Sequence, residues 1–338
     1  MIRSIVAAAV ASACLGCSGG AQAQVAVLYG LVDAAGSHVR PVGGTGHYQL
    51  DSGEMTQSFL GLRGREDLGG GLGAVFKLES YVRVDTGQAG RFEGDSFWGR
   101  EASVGLSGAF GTTVLGRTAS PLYISTISFN PFGESLGFSP STRQYFGAGG
   151  VVLGDSRWNN SVSYTNNGTD PLRVSVAANA EEESPGSLST GRNYGGSVSY
   201  ITGPFAATVA IEKIRNSILP LPAGFQRQLA IQAGATYDFS VIRLYGQIGR
   251  VKTEANVDTQ TILYQLGAAV PIGNSLILIG YGRSHMKSVL SGTTDRTASI
   301  AYDYFLSKNT DIYVAALYEK LSFVSSGNSL AGGLRLRF

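Results

Sequence analysis

The sequence predicts an all-β protein, a 16-stranded antiparallel transmembrane β-barrel, on three observations. Apolar and polar residues alternate with a period of two in segments of about ten residues, which places each set on one face of a sheet. The turns between those segments are alternately short and long. Charged and amide side chains stand opposite the apolar series too often for a packed interior to absorb them without partners.

The clearest element is the hairpin from Ser58 to Ser80, SFLGLRGREDLGGGLGAVFKLES. Leu60 and Leu62 alternate with Gly61, Arg63 and Arg65; Ala74, Phe76, Leu78 and Ser80 alternate with Lys77, Glu79 and Tyr81. Between the arms, the run Glu66 to Gly71 supplies the polar and left-handed positions of a tight reversal. One hairpin of this kind suits a soluble β-protein equally well. Recurrence decides for a barrel.

In chain order the pattern opens with 25–33, followed by a long polar stretch over 34–56 and then the hairpin. Strands are expected at 97–107 and 112–118, and a Gly- and Pro-rich stretch runs from Ser120 to Asp155. Further strands fall at 157–166, 171–180, 193–202, 204–213, 226–239, 241–252, 260–271, 274–284, 296–306, 310–321 and 328–338, sixteen in all. No convincing amphipathic helix interrupts them. The short turns share one edge and the long loops the other, as in outer-membrane barrels, whose spans need ~9–11 tilted residues. Closure is required because lipid cannot satisfy an open sheet edge. Tyr237, Phe239, Tyr302, Tyr304, Phe305, Tyr313 and Tyr318 suit interfacial girdles. Opposite the apolar series stand Arg63, Arg65, Lys77, Arg83, Arg173, Gln232, Arg243, Gln247, Gln265, Asp303, Arg335 and Arg337, which a wide aqueous lumen accommodates. Strand 97–107 breaks the rule: Ala102, Val104 and Leu106 share parity with Arg100, so either a bulge intervenes or the outer face meets protein.

Composition agrees. Charged residues are 15% of the 338, and glycine, at 47, is near twice the usual share of ~7%. A formal charge of +2 gives no electrostatic case for nucleic acid. Met1-Ile2-Arg3, the apolar run from Ile5 to Leu15 and Ala21-Gln22-Ala23 form an export signal over 1–23, with the mature domain spanning 24–338. Cys17 after Leu15-Gly16 offers lipoprotein processing as the alternative, against the cleaner site at Ala23. Both cysteines, Cys14 and Cys17, fall within the removed segment, so disulfides do not hold the exported chain.

Along nearly all of the mature chain the sequence resembles the Gram-negative trimeric general porins of β-proteobacterial type. The resemblance is carried by LYGLVDAAG (28–36), GLRGREDLGGGLGAVFKLES (61–80), ASVGLSGAFGTTVLGR (102–117), NNSVSYTN (159–166), YDYFLSKNTDIYVAALYEK (302–320) and the terminal GGLRLRF (332–338). It implies a homotrimer of barrels in the outer membrane, in contact with lipid and lipopolysaccharide, each passing ions and small hydrophilic solutes by diffusion. It also implies a third external loop folded into the pore, here between Pro121 and Asp155 with FNPFGESLGF (129–138) as its tip. Arg100, Arg117 and Arg157 match the family's wall arginines, Glu134 is the carboxylate facing them, and Arg143 adds a positive charge to the loop. The chain departs from the pattern at Phe59, where an arginine is common. Leu334, Leu336 and Phe338 look like the signal read by the outer-membrane assembly machinery; on physical grounds alone a terminal aromatic is an interfacial anchor. Weak anion selectivity follows from the excess of wall arginines over Glu134.

Rival chemistry finds little footing. His38, His47 and His285 are the only histidines, and no spacing builds a nucleophile–base–acid site or a metal cluster. No enzyme, cofactor or metal is expected. Glu181, Glu182 and Glu183 read as a solvated run, and the Gly69–Gly73 run opens a strand, not a phosphate-cradling helix. The alternative function is a substrate-selective channel or a surface adhesin or phage-binding barrel. A selective sugar channel calls for a dense aromatic series in the lumen, and only Tyr81 and Tyr245 share the inward parity.

Overall fold

Alternation of side chains dictates the architecture: the long strands of the computed structural model turn mostly apolar residues outward and mostly polar or small residues inward. The structure describes residues 25–168, 171–180, 191–218, 220–289 and 292–338. The export signal over 1–23, both cysteines and Glu181–Glu183 lie outside them.

The strands are β1 (Val25–Arg40), β2 (His47–Ser52), β3 (Phe59–Gly69), β4 (Leu72–Arg83), β5 (Gln88–Ala89), β6 (Glu101–Gly108), β7 (Gly111–Ala119), β8 (Arg157–Thr165) and β9 (Leu172–Asn179). They continue with β10 (Tyr194–Thr202), β11 (Phe205–Ile214), β12 (Arg227–Asp238), β13 (Arg243–Glu254), β14 (Thr259–Ile272), β15 (Ser275–Ser288), β16 (Gly292–Phe305), β17 (Thr310–Leu321) and β18 (Gly327–Arg337). All pair antiparallel with their neighbours, and β1 pairs with β18 from Leu31↔Arg337 to Arg40↔Asn328, closing the sheet. Both β2 and β3 pair with β1, as two halves of one span, and β5 is a short bridge to β4. The barrel therefore has 16 spans.

In β12, Leu229, Ile231, Ala235 and Tyr237 are exposed while Gln228, Ala230, Gln232 and Gly234 are buried. The same inversion of the globular pattern recurs in β14 to β18. Hydrocarbon covers the outer face of such a barrel, so apolar exposure there is its solvated state.

Three expectations change. The polar stretch 34–56 is mostly strand: β1 runs on to Arg40 and β2 returns, because Ser37 and Asp51 point inward and hydrogen-bond one another, as lumen polarity allows. The strand expected over 97–107 begins only at Glu101. Arg100 precedes it, and Glu101 and Ser103 point inward while Val104 and Leu106 are exposed. The parity conflict with Arg100 thus comes from a late strand start. Tyr313 leaves the girdle set: it is 3% exposed and donates to Asp33 Oδ1 at 2.7 Å inside the barrel.

Two short helices, unforeseen in the sequence, lie in the long loop between β7 and β8: α1 (Pro121–Ser128) and α2 (Pro140–Phe146). Ser120 and Ser139 cap them, each side chain accepting from the third residue on, and a proline opens each. Seven or eight residues cannot sustain a helix alone. Packing inside the barrel holds them, with Leu122, Tyr123, Phe138 and Tyr145 at most 3% exposed.

Candidate functional site: the pore constriction

Inward polar side chains fix this loop to the wall. Glu212 of β11 accepts from Leu122 N at 2.7 Å, at the open N-terminus of α1. Ser125 donates to Gln232 Oε1 at 2.6 Å, and Gln247 donates to Thr126 O at 3.0 Å. Gln232 and Gln247, expected to line water, thus hold α1. Farther along, Leu153 N donates to Gln228 Oε1 at 2.9 Å and Ser135 Oγ to Glu54 O at 2.7 Å. Inward glycines let the loop lie flat on the sheet. A Cβ at Gly267 would stand 2.6 Å from Pro131 Cδ, and one at Gly249 would overlap Tyr145 Oη.

The tip carries Glu134 to the opposite wall, where Arg100 grips it with two hydrogen bonds of 2.8 and 3.1 Å. Arg100 Nε also lies 3.0 Å from Glu79 Oε2. Its guanidinium sits 4.3 Å from the centroid of Phe59, so the residue that departs from the family pattern becomes a cation–π platform. Arg117 is buried: Nη2 donates to Asp155 Oδ2 at 2.8 Å and Nε to Gly99 O at 2.7 Å. Arg157, 5% exposed, has no carboxylate partner among the described residues; Nε donates to Arg100 O at 2.6 Å, and the guanidinium faces Tyr123 at 4.9 Å and Tyr81 at 5.3 Å. Arg143 stands apart from the others, bonded at 2.8 Å to Glu319 on β17.

Sequence reasoning missed the second carboxylate layer. Glu79 was legible as an inward residue from its parity with Lys77 and Tyr81; Lys77 bonds it at 3.1 Å and Glu101 at 3.0 Å. Asp155, at the end of the loop, joins Arg117 to Arg91, which also holds Asp95 at 2.8 Å. Burial alone pushes the Asp155 carboxyl up, yet the guanidiniums of Arg91 and Arg117 outweigh it and hold the group below the usual carboxylate range. At Asp95 burial is likewise outweighed by Arg91. Arg100 and Arg117 thus neutralise acids of the same cluster, whereas Arg157 enters no ion pair among the described residues.

Free positive charge lies beside the cluster, on its periplasmic side. Arg63 and Arg65 project inward from β3, both are exposed, and neither enters an ion pair among the described residues. In register they stand one and two side-chain steps below the Gly61↔Glu79 level, about 7 Å per step. A polar channel narrowed by a fixed inner loop and lined by paired charges is built for passage, and the comparisons agree. Residues 7–322 match the model of the Gram-negative porin family.

The chain belongs to that family. It is 32% identical to outer membrane porin protein 32 of Delftia acidovorans, over all of this chain and 93% of that protein. The major outer membrane protein P.IA of Neisseria meningitidis serogroup C is 45% identical over 79 residues, 23% of this chain and 19% of that protein. Among solved structures, the anion-selective porin from Comamonas acidovorans superposes with a TM-score of 0.80 at 25% identity, covering 93% of this chain and 100% of that one. The porin is a channel of the Gram-negative outer membrane, not an enzyme.

Proposed function

We propose that this porin is a trimeric, water-filled diffusion channel with weak anion selectivity. Its charge discrimination is set by exposed lumen cations beside the constriction. The observation that carries this reading is the contrast between Arg63 and Arg65, exposed and unpaired, and the wall arginines Arg100 and Arg117, bound to Glu134, Glu79 and Asp155. At ~0.1 M salt the Debye length is ~10 Å, so cations on the wall of a narrowed pore are felt across it. The anion selectivity in the name of the Comamonas structure supports the same sign. The test is the reversal potential of purified protein across a tenfold KCl gradient; cation preference would overturn the reading.

Family membership and surface chemistry support the remaining roles. Residues 24–338 form the exported barrel, 1–23 its export signal. The trimer, contact with lipopolysaccharide and reading of the last strand by the assembly machinery go with membership of the family. Leu334, Leu336 and Phe338 are all exposed on the outer face, and Phe338 exchanges backbone hydrogen bonds of 3.0 and 3.1 Å with Gly30 at the barrel seam. A Phe338→Asp protein is expected to be lost from the outer membrane through failed recognition, which outweighs a lipid penalty of ~2–4 kcal/mol for a cation at the midplane and less for Asp or near the interface. Normal surface levels would refute the recognition role.

A further inference from the structure

Two aromatic bands mark the hydrocarbon layer on the outer face of β14 to β17. Tyr302 and Tyr304 form the periplasmic one; Tyr281 and Tyr318, both exposed, form the other, and Tyr264, also exposed, stands one step farther out, opposite Arg283. Tyr281 and Tyr318 both face Ala298 in register, six residues from Tyr304, or about 20 Å along the strand. That separation suits an apolar band ~25 Å tall.

Just beyond the outer aromatic band, on the side away from the chain ends, three cations share one level. Arg283 pairs directly with Arg296 across β15 and β16, and Arg296 with Lys320 across β16 and β17. All three have outward parity, as their neighbours Ser284, Thr297 and Glu319 face the interior. Like charges directly opposite one another destabilise a sheet. Farther round the barrel, Arg227 and Lys252 share the outward carboxylate Glu254, but Arg283 and Arg296 enter no ion pair among the described residues. Lys320 donates to the carbonyl of Val324, at 2.6 Å, and enters no ion pair among the described residues. Among the described residues, no carboxylate spans this row of three adjacent cations at headgroup depth.

We propose that Arg283, Arg296 and Lys320 form a clamp for the phosphate groups of an outer-leaflet glycolipid, the lipid A moiety of lipopolysaccharide. Opposed residues lie ~5 Å apart, so one phosphate reaches two of the three side chains. Arginine suits the role, because its planar fork matches phosphate oxygens in pairs. The chain ends and short turns occupy the far rim, so the clamp lies at the rim of the long loops, where the outer leaflet is. The neighbouring tyrosines then pack against the acyl–sugar boundary. This inference deepens the proposed lipopolysaccharide contact and rests on the outer-membrane orientation of the barrel.

The test measures binding of diphosphoryl lipid A to the purified full-length protein in detergent, by native mass spectrometry. Dephosphorylated lipid A and phosphatidylglycerol serve as comparison lipids. Wild type is expected to bind diphosphoryl lipid A selectively. Each cation removed is expected to weaken binding about fivefold, and Arg283→Ser with Arg296→Ser and Lys320→Ser about a hundredfold. Arg283→Lys with Arg296→Lys retains most of the affinity. Single-channel conductance stays at the wild-type value in every variant, because the three side chains face lipid. Should the triple variant fail to fold, the Arg296→Ser single variant carries the same comparison. Equal binding by wild type and the folded variants overturns the clamp, as does equal binding of phosphatidylglycerol by wild type. A wild-type protein that forms no channel refutes the porin reading instead.

Discussion

Arg100 and Glu134 join the barrel wall to the tip of the inner loop through two hydrogen bonds of 2.8 and 3.1 Å. The pair ties the loop to the wall and also cancels much of the charge that either partner would show a passing ion. Such a paired bidentate contact is strong and directional. It makes the loop tip part of the wall.

Glu134→Gln therefore is expected to strengthen anion preference. Loss of the carboxylate leaves Arg100 with Glu79 alone and adds net positive charge at the constriction. A unit charge at 4 Å in water is worth ~1 kcal/mol, so roughly a fivefold change in the permeability ratio is the ceiling. Arg100→Ser changes the ratio in the opposite direction. Reversal potentials for the two variants that shift together, or not at all, would contradict this assignment.

Gly249→Leu is expected to disturb the channel from a position that no permeating ion touches. A side chain there displaces Tyr145, which is 2% exposed, and with it α2. Overpacking of this kind costs ~1–3 kcal/mol. The expected result is a lower melting temperature with altered, noisier single-channel current. An unchanged current would show that the loop does not need its flat seat on the sheet.

Acid should release the loop at its outer end. Asp155 and Asp95 titrate below the ordinary range because Arg91 and Arg117 outweigh the effect of burial. A depressed native pKa gives stability that is fully present above the unfolded value, ~3.9, and lost as pH falls through the native one. Loss of this particular anchor is therefore expected only below about pH 4, as a rise in open-channel noise. Asp155→Asn should show that noise already at neutral pH. A transition centred near pH 6 in wild type would assign the gate to other groups.

The barrel was legible because its two faces obey the simplest rule in sequence reading. In β12 to β18 the alternation is almost unbroken, and both edges of each span are marked by turns or charge. It failed where the chain leaves that rule. Residues 34–56 look like loop because a strand facing a wet lumen carries Ser37 and Asp51 without penalty. The helices of the inner loop carry no readable signal at seven or eight residues, since the barrel wall supplies their stability. At the candidate constriction, motif position suggested the residues but not their pairing. Arg117, whose guanidinium meets Asp155, and Arg157, stacked between tyrosines, look in sequence like the pore-facing arginine Arg63.

That distinction yields the sharpest prediction. Arg63→Ser with Arg65→Ser should reduce anion selectivity, whereas Arg117→Ser should leave it nearly unchanged while weakening the loop. The first pair is exposed in the lumen; Arg63 lies over the ring of Tyr29, 4.7 Å from its centroid, and neither arginine has an ion pair among the described residues. Removing both strips charge that counter-ions in the pore respond to, within about one Debye length of the axis at ~0.1 M salt. Arg117 is 8% exposed and its charge is already cancelled by Asp155. Its loss unpairs part of a buried cluster, where breaking a pair costs ~3–5 kcal/mol, reduced here because Arg91 still binds Asp155. Reversal potential and melting temperature, measured on the same preparations, separate the two effects. The double variant is expected to shift the first and spare the second; Arg117→Ser does the reverse. If Arg117→Ser instead shifts the reversal potential as far as the double variant does, the buried cluster sets selectivity and the exposed arginines do not.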